Sequence, residues 1–336
     1  MIRRIGYNTL GFEEMPSIIG YGSVVGQKEA QGPLKKYFDK IIYDSYAGQD
    51  SWEKAESLFQ QEAFGIALGK SKKSSEDINY IFAGDLLNQC VSSSFSMKEF
   101  NIPYLGQYGA CSTMAQGLIM ASVMVESGAA NNAACVTSSH FCSAERQYRF
   151  PLEYGGQRTP TSQWTVTGSG SCILSNEKKG PSVARATVGT IVDYGITDVN
   201  NMGAAMAPAA AQTLLQYFSD TNTTPDDYDA IFTGDLGELG SQLLYEILKR
   251  ENINIEHKHN DCGLMIYECK SQDVHCGGSG CGCGASVLCS LILNGMESRK
   301  YENIIFMATG ALMSPTTCFQ GENIPGIAHA VNIKLR

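Results

Sequence analysis

The chain has 336 residues, 43% of them apolar and 18% charged. That length suits about two domains, and a chain of this size buries a core without disulfide or metal staples. A net charge of −9 with scattered Lys and Arg excludes a nucleic-acid-binding stripe, because such binding needs clustered cations to displace counterions. No apolar run nears the ~20 residues of a membrane helix. Arg3 and Arg4 have no apolar segment behind them, so neither a membrane span nor a signal peptide is expected. Peripheral attachment to a membrane protein is left open.

Residues 13–50 show no period and are expected to be irregular. A helix is expected over 51–68, followed by an acidic turn and a short apolar strand ending in Gly84-Asp85. A helical pattern at 115–126 precedes apolar runs at 133–138 and 168–174, which read as strands. The polar stretch 140–165 has no periodicity, and loops of this length often cap a site. The first half ends near Gly180-Pro181. The second half opens with a helix at 209–218 and a strand ending in Gly234-Asp235. An apolar helix at 285–293 and a strand at 304–309 follow.

The two halves repeat one another. Ile81-Phe82 and Gly84-Asp85-Leu86 recur as Ile231-Phe232 and Gly234-Asp235-Leu236, at a constant offset of 150 residues. Duplication explains the matching context better than coincidence does. Strands alternating with helices predict an α/β protein with mostly parallel sheets, divided into halves 1–180 and 181–336.

Three places could carry chemistry. Gly109-Ala110-Cys111-Ser112-Thr113 stands just before the helix at 115. Free N–H groups and the helix dipole there would lower a thiol pKa, making Cys111 a nucleophile or an anion contact. The alternative is a small residue at a tight junction. Asp85 and Asp235 each follow Gly at a strand end, where open α/β sheets bind ligands. A lone Asp after Gly is usually a turn residue, and the repetition favours a shared site. The third place is the loop Cys276-Gly-Gly-Ser-Gly-Cys281-Gly-Cys283-Gly284, which can bring bare N–H groups to a ligand. It lacks the Gly-Lys-Ser/Thr of a phosphate loop, and its C-x-C spacing is not that of a zinc knuckle.

The twelve Cys sit mostly among Ala, Val, Gly and Ser, as small buried groups do, which suits a reducing cytosol. His257 and His259 lie in a polar run and are expected in solvent, while His140 and His329 could face a site. Arg146, Arg149 and Arg158 could clamp a carboxylate, although surface charge is the commoner role of any one of them.

These features resemble the thiolase and ketoacyl-synthase fold: duplicated halves, a Cys at a helix start, Gly168-Ser169-Gly170, a Gly-rich loop before a late helix, and Ala308-Thr309-Gly310-Ala311-Leu312. More narrowly, the chain resembles the stage V sporulation protein AD family of spore-forming Firmicutes along nearly its whole length. The strings that carry this are Ala83-Gly84-Asp85-Leu86-Leu87-Asn88-Gln89, Gly109–Thr113, Thr137-Ser138-Ser139-His140 and Ala144-Glu145-Arg146-Gln147. Glu153-Tyr154-Gly155-Gly156-Gln157, Thr165–Gly170 and Met206-Ala207-Pro208-Ala209-Ala210-Ala211 complete them.

The resemblance implies a five-layered α-β-α-β-α architecture. It implies a protein that binds dipicolinic acid, moves it into the forming spore and takes part in its release at germination. It implies membrane partners of the SpoVA assembly, expression in the cytoplasm and a peripheral place at the spore inner membrane. A homodimer is expected because such folds pair, with 140–165 as a candidate contact. No cofactor is implied beyond calcium carried with dipicolinate, and no metal site.

Condensing enzymes of this fold pair their Cys with two later residues, commonly two His or His and Asn. Cys111 matches the Cys, but Asp235 and Cys281 stand where the partners are expected. Asp and Cys neither polarise a carbonyl nor take up protons well at neutral pH, so the acyl-transfer apparatus looks dismantled. The implied ligand-binding set is Asp85, Cys111, Ser112, His140, Arg146, Asp235 and Cys281. Bare Asp85 and Asp235 would repel a dicarboxylate unless calcium bridges them or one is protonated. The competing readings are an acyltransferase using Cys111 with His140 or His329 as base, and a Cys-rich metal protein.

Overall fold

A computed structural model describes residues 1–148 and 158–336. Its main sheet orders its strands as His259–Asp261, Ala230–Thr233, Asn303–Ala311, Gly326–Leu335, Pro181–Thr187, Ser17–Val25, Gly168–Ser175, Asn132–Ser139, Tyr80–Gly84 and Tyr104–Gly106. Read outward from the centre, both halves follow the same plan. Two antiparallel pairings come first, then two parallel ones. The sheet is therefore mixed, not mostly parallel: the two central strands of each half are joined to their neighbours antiparallel, which strand-helix alternation alone does not reveal.

Duplication extends to local detail. The helices Trp52–Ser71 and Met202–Thr221 are related by the 150-residue offset, and both end on a left-handed residue, Lys72 and Asn222. Short 3-10 turns follow, capped by Ser74 with Asp77 and by Thr224 with Asp227. Each cap leaves two orphan N–H groups satisfied before the chain enters its strand.

The helix Met202–Thr221 begins seven residues before the expected 209 and carries Pro208 inside it. The Asn201 side chain accepts from Ala204 N at the start, and the buried run Ala205–Ala211 packs the helix onto the sheet. That burial offsets the hydrogen bond that Pro208 cannot make. The expected helix 285–293 is three segments, Cys281–Val287, a π-turn Leu288–Ile292 and Leu293–Glu297.

The largest departure lies in 13–50, where the nine-residue strand Ser17–Val25 runs through the middle of the sheet. Gly20 and Gly22 look like turn signals in the sequence. In the fold they admit the helix Trp52–Ser71: a Cβ on Gly20 would lie 2.3 Å from the Ala67 carbonyl oxygen, and one on Gly22 2.3 Å from that of Ala63. The polar stretch after 140 also holds structure, the helix Phe141–Tyr148. Arg149 and the string 153–157 lie outside the described residues.

The helices Thr113–Glu126 and Cys281–Val287 touch strands of both halves and so lie between them. Trp52–Ser71 covers the outer side of one half, and Met202–Thr221 with Gly237–Arg250 that of the other. This is the five-layered arrangement. The N-termini of the two central helices meet in the middle of the molecule, which brings Cys111 and Cys281 together.

Candidate functional site

The segment Gly109–Thr113 is tied into a tight loop before its helix. Ser112 Oγ donates to the Gly109 carbonyl at 2.7 Å, and Thr113 Oγ1 to the Ala110 carbonyl at 2.7 Å. Ala110 has φ of 49°, a left-handed conformation unusual for a residue with a Cβ. The loop presents Cys111 to a small cavity and spends the Ser112 hydroxyl on its own backbone.

The Cys111 thiol is buried and faces the Asp235 carboxyl, close enough for each to shift the other's titration. Asp235 also accepts from Gly280 N at 2.9 Å, Thr309 Oγ1 at 3.0 Å and Ser279 Oγ at 3.4 Å. Burial, opposed by the neighbouring Cys111 thiol, raises its carboxyl pKa to about 7. The thiol moves up as well, through burial first and then the Asp235 charge. The expected lowering by the helix N-terminus is overturned, because desolvation and a facing carboxylate outweigh the dipole. Cys281 completes the group: its Sγ donates to the Ser138 carbonyl at 2.9 Å, and burial holds its pKa high.

The cavity in front of Cys111 has a volume of about 50 Å³. It is a narrow space with room for a few waters. Leu86, Ala144, Tyr148, Met202, Ser279 and Met313 line it together with Cys111. Its outer wall is the pair Tyr108 and Tyr148, whose hydroxyls are 3.0 Å apart, with Tyr148 donating to the Leu86 carbonyl. Tyr108 is 44% exposed, so this pair stands on the solvent side of the cavity.

The other expected site residues are placed differently. Asp85 is fully buried and does not line the cavity. Its carboxylate accepts from Leu87 N at 2.8 Å, Ser93 N at 2.8 Å and Ser93 Oγ at 2.6 Å, which closes the turn after its strand. His140 directly follows the strand Asn132–Ser139 and does not line this cavity. Its Nε2 pairs with the Ser45 carbonyl at 2.8 Å, and burial lowers its pKa to about 4. It lines a larger cavity of about 550 Å³ with Lys28, Phe59, Phe141 and Trp164. Arg146 is half exposed, pairs with Glu53 and lies 5.4 Å over the Trp52 ring. His329 Nδ1 accepts from Gly189 N at 3.1 Å. Neither His140 nor His329 is bonded to Cys111.

His259 corrects a further expectation. It is not solvated but lies on the edge strand, bonded to Thr233 Oγ1 at 2.8 Å and Tyr245 OH at 2.7 Å, with its pKa lowered to about 4 by burial. The thiols of the Gly-rich loop go to three separate carbonyls: Cys276 to Pro160, Cys281 to Ser138 and Cys283 to Gly234. Among the described residues, no group of three His, Cys, Asp or Glu is arranged to hold a metal ion. No helix among them is long and apolar enough to cross a membrane.

Sequence reasoning missed Glu56, which is buried beside this site. The signal was present: Glu56 and Gln60 fall on the buried i, i+4 stripe of Phe59, Ala63, Phe64 and Ala67. A carboxylate on such a stripe needs a partner, and here it has Ser138 and Ser143, each donating at 2.9 Å.

Among solved structures, the fold is similar to 3-oxoacyl-[acyl-carrier-protein] synthase III from Aquifex aeolicus. The TM-score is 0.58 at 12% identity, over 95% of this chain and 99% of that one. A variant of OleA from Xanthomonas campestris matches with a TM-score of 0.61 at 11% identity, over 99% of each chain. At such identity the likeness shows the fold, which is thiolase-like. Stage V sporulation protein AD of Bacillus subtilis (strain 168) is 45% identical over 326 residues, which cover 97% of this chain and 96% of that protein. The family model for stage V sporulation protein AD matches residues 6–334. The chain therefore belongs to the stage V sporulation protein AD family, built on a thiolase-like fold.

Proposed function

We propose that this chain is a dipicolinate-binding subunit that works beside the SpoVA membrane proteins at the spore inner membrane. In this reading it serves uptake in sporulation and release in germination, and it performs no acyl transfer. The observation that carries the reading is the surroundings of Cys111. Its thiol faces Asp235 and Cys281, and both histidines that could act as its base are engaged elsewhere. A nucleophilic thiol needs a base or a nearby cation, and here burial and a carboxyl both keep its proton on.

The same surroundings leave a largely apolar pocket with a few polar groups, among them Thr165, Ser279 and the Cys111 thiol. With Asp235 carrying its proton, or with calcium between carboxylates, a dianion meets Ser279 and the Cys111 S–H with the Asp235 charge covered. In this reading the ligand enters past the Tyr108–Tyr148 pair, at the outer wall of the cavity. Arg146 stays on Glu53 in this account, and His140 belongs to the neighbouring cavity. A homodimer is part of the reading. The strand Tyr104–Gly106 ends the sheet, and Leu105 on it and Phe95 are exposed at 48% and 54%.

Calorimetric titration with dipicolinate, with and without calcium, tests the proposal beside an acyl-CoA control. Saturable binding without acylation of Cys111 supports it. An acylated Cys111 with no dipicolinate heat would replace it with acyltransferase chemistry.

A further inference from the structure

Behind the Cys111 cavity lies a buried polar chain that the binding account does not use. Gln60 Nε2 donates to Ser138 Oγ at 2.8 Å and to Ser93 Oγ at 2.9 Å. Each hydroxyl passes its own proton outward, Ser138 to Glu56 at 2.9 Å and Ser93 to Asp85 at 2.6 Å. One central amide thus links two carboxyl groups on different elements.

Glu56 has a second contact that Asp85 lacks. Ser143 Oγ stands 2.9 Å from Glu56 Oε2 and 3.1 Å from the His140 carbonyl. With Glu56 ionised, Ser143 donates to the carboxylate. With Glu56 protonated, Glu56 donates to Ser143, and Ser143 turns its hydrogen to the His140 carbonyl. That carbonyl also receives Ala144 N at 3.0 Å, the first turn of the helix Phe141–Tyr148. Ala144, Glu145 and Tyr148 of that helix wall the Cys111 cavity.

We propose that Glu56 is a positioning residue for this cavity, seating the wall helix Phe141–Tyr148 through Ser143 and making anion entry depend on the proton it carries. The charged neighbours point the same way. Asp85 faces Glu56 from the turn after Tyr80–Gly84, and the Cys281 thiol feels both carboxyls and Asp235. Glu145 lies on the wall helix itself, and His140 is held away on Ser45. On its own helix, Glu53 is turned outward to Arg146. The carboxyls of Glu56, Asp85 and Asp235 are buried together, and such a group admits an anion only while protons cover part of its charge. Burial, and then Asp85, raises the Glu56 pKa to about 8.

The anion part rests on the dipicolinate reading, and the test separates the two. Dipicolinate affinity is measured from about pH 6 to about pH 9 for the wild type and for Glu56→Gln, which fixes the neutral form. Asp235 titrates in both proteins, so the readout is the difference in slope. Above pH ~8 the wild type should lose about tenfold more affinity per pH unit than the variant. Amide exchange in 141–148 is followed on the ligand-free proteins. Its protection should fall with rising pH in the wild type and hold in Glu56→Gln. Parallel behaviour of the two proteins in exchange overturns the proposal. Absence of dipicolinate binding at every pH overturns the functional reading, while exchange still decides the role of Glu56.

Discussion

Asp85 and Asp235 occupy equivalent positions of the repeat, yet one closes a turn and the other faces a thiol. Asp85 binds the backbone of Leu87 and Ser93 in its own half. In the second half that backbone task has passed to Asp261, which accepts from Leu236 N at 2.8 Å and Gly237 N at 3.1 Å. Asp235 is thereby free to meet Gly280, Thr309 and Cys111. The duplicated sequence signal is real, but the two carboxyls do not form one ligand clamp.

Substituting Asp85 should therefore act first on stability. Asp85→Ala leaves Leu87 N and Ser93 N unpaired in a buried turn, at a cost of about 1–3 kcal/mol per group. Thermal denaturation should show a clear drop in Tm, with any loss of ligand binding following it. An unchanged Tm with lost binding would return Asp85 to the ligand.

Asp235→Asn removes the charge facing Cys111 and keeps the shape. The thiol should deprotonate more readily, so iodoacetamide should label Cys111 several-fold faster at neutral pH than in the wild type. Equal labelling rates would mean that burial alone governs the thiol.

Stability should decline on the alkaline side. Glu56 and Asp235 have folded pKa values of about 8 and about 7, above their unfolded values. Between the unfolded and folded values the folded state holds protons that the unfolded chain has released, so stability is lost as pH rises. His140, His259 and His329, lowered to about 4, act oppositely: they cost stability as pH falls below about 6.5. Above about pH 6.5 only the carboxyls remain, each contributing up to ~1.4 kcal/mol per pH unit. Denaturant midpoints should fall from about pH 6.5 to about pH 8, and less steeply in Glu56→Gln.

Tyr148→Phe removes the hydroxyl that bonds Tyr108 and the Leu86 carbonyl. The outer wall of the cavity should loosen, and stopped-flow mixing should show faster ligand association than in the wild type. An unchanged rate would place the entry route elsewhere.

Much of the fold was legible because its signals are local. The repeated Gly-Asp after an apolar strand marks both halves, and the Cys before the helix at 113 marks the meeting point of the central helices. The strand Ser17–Val25 was not legible, because Gly20 and Gly22 answer to a helix that follows later in the chain. Gly22→Ala should test this, costing about 1–3 kcal/mol through overpacking against Ala63. That Cys111, Asp235 and Cys281 lie together was legible through the resemblance, and the structure places them side by side. Arg146 and His140 were misplaced because their partners, Glu53 and Ser45, come from segments whose paths no local pattern sets. Glu56 was overlooked although its helix stripe betrayed it.

The most direct measurement is calorimetric titration of dipicolinate into the wild type and Cys111→Ser, with unfolding curves for both. The account predicts saturable binding to the wild type and at least about tenfold weaker binding to a variant that is equally folded, since a lost hydrogen bond and altered fit at a buried contact cost ~1.4 kcal/mol or more. Equal affinity in the two proteins would contradict it and place the ligand outside the Cys111 cavity.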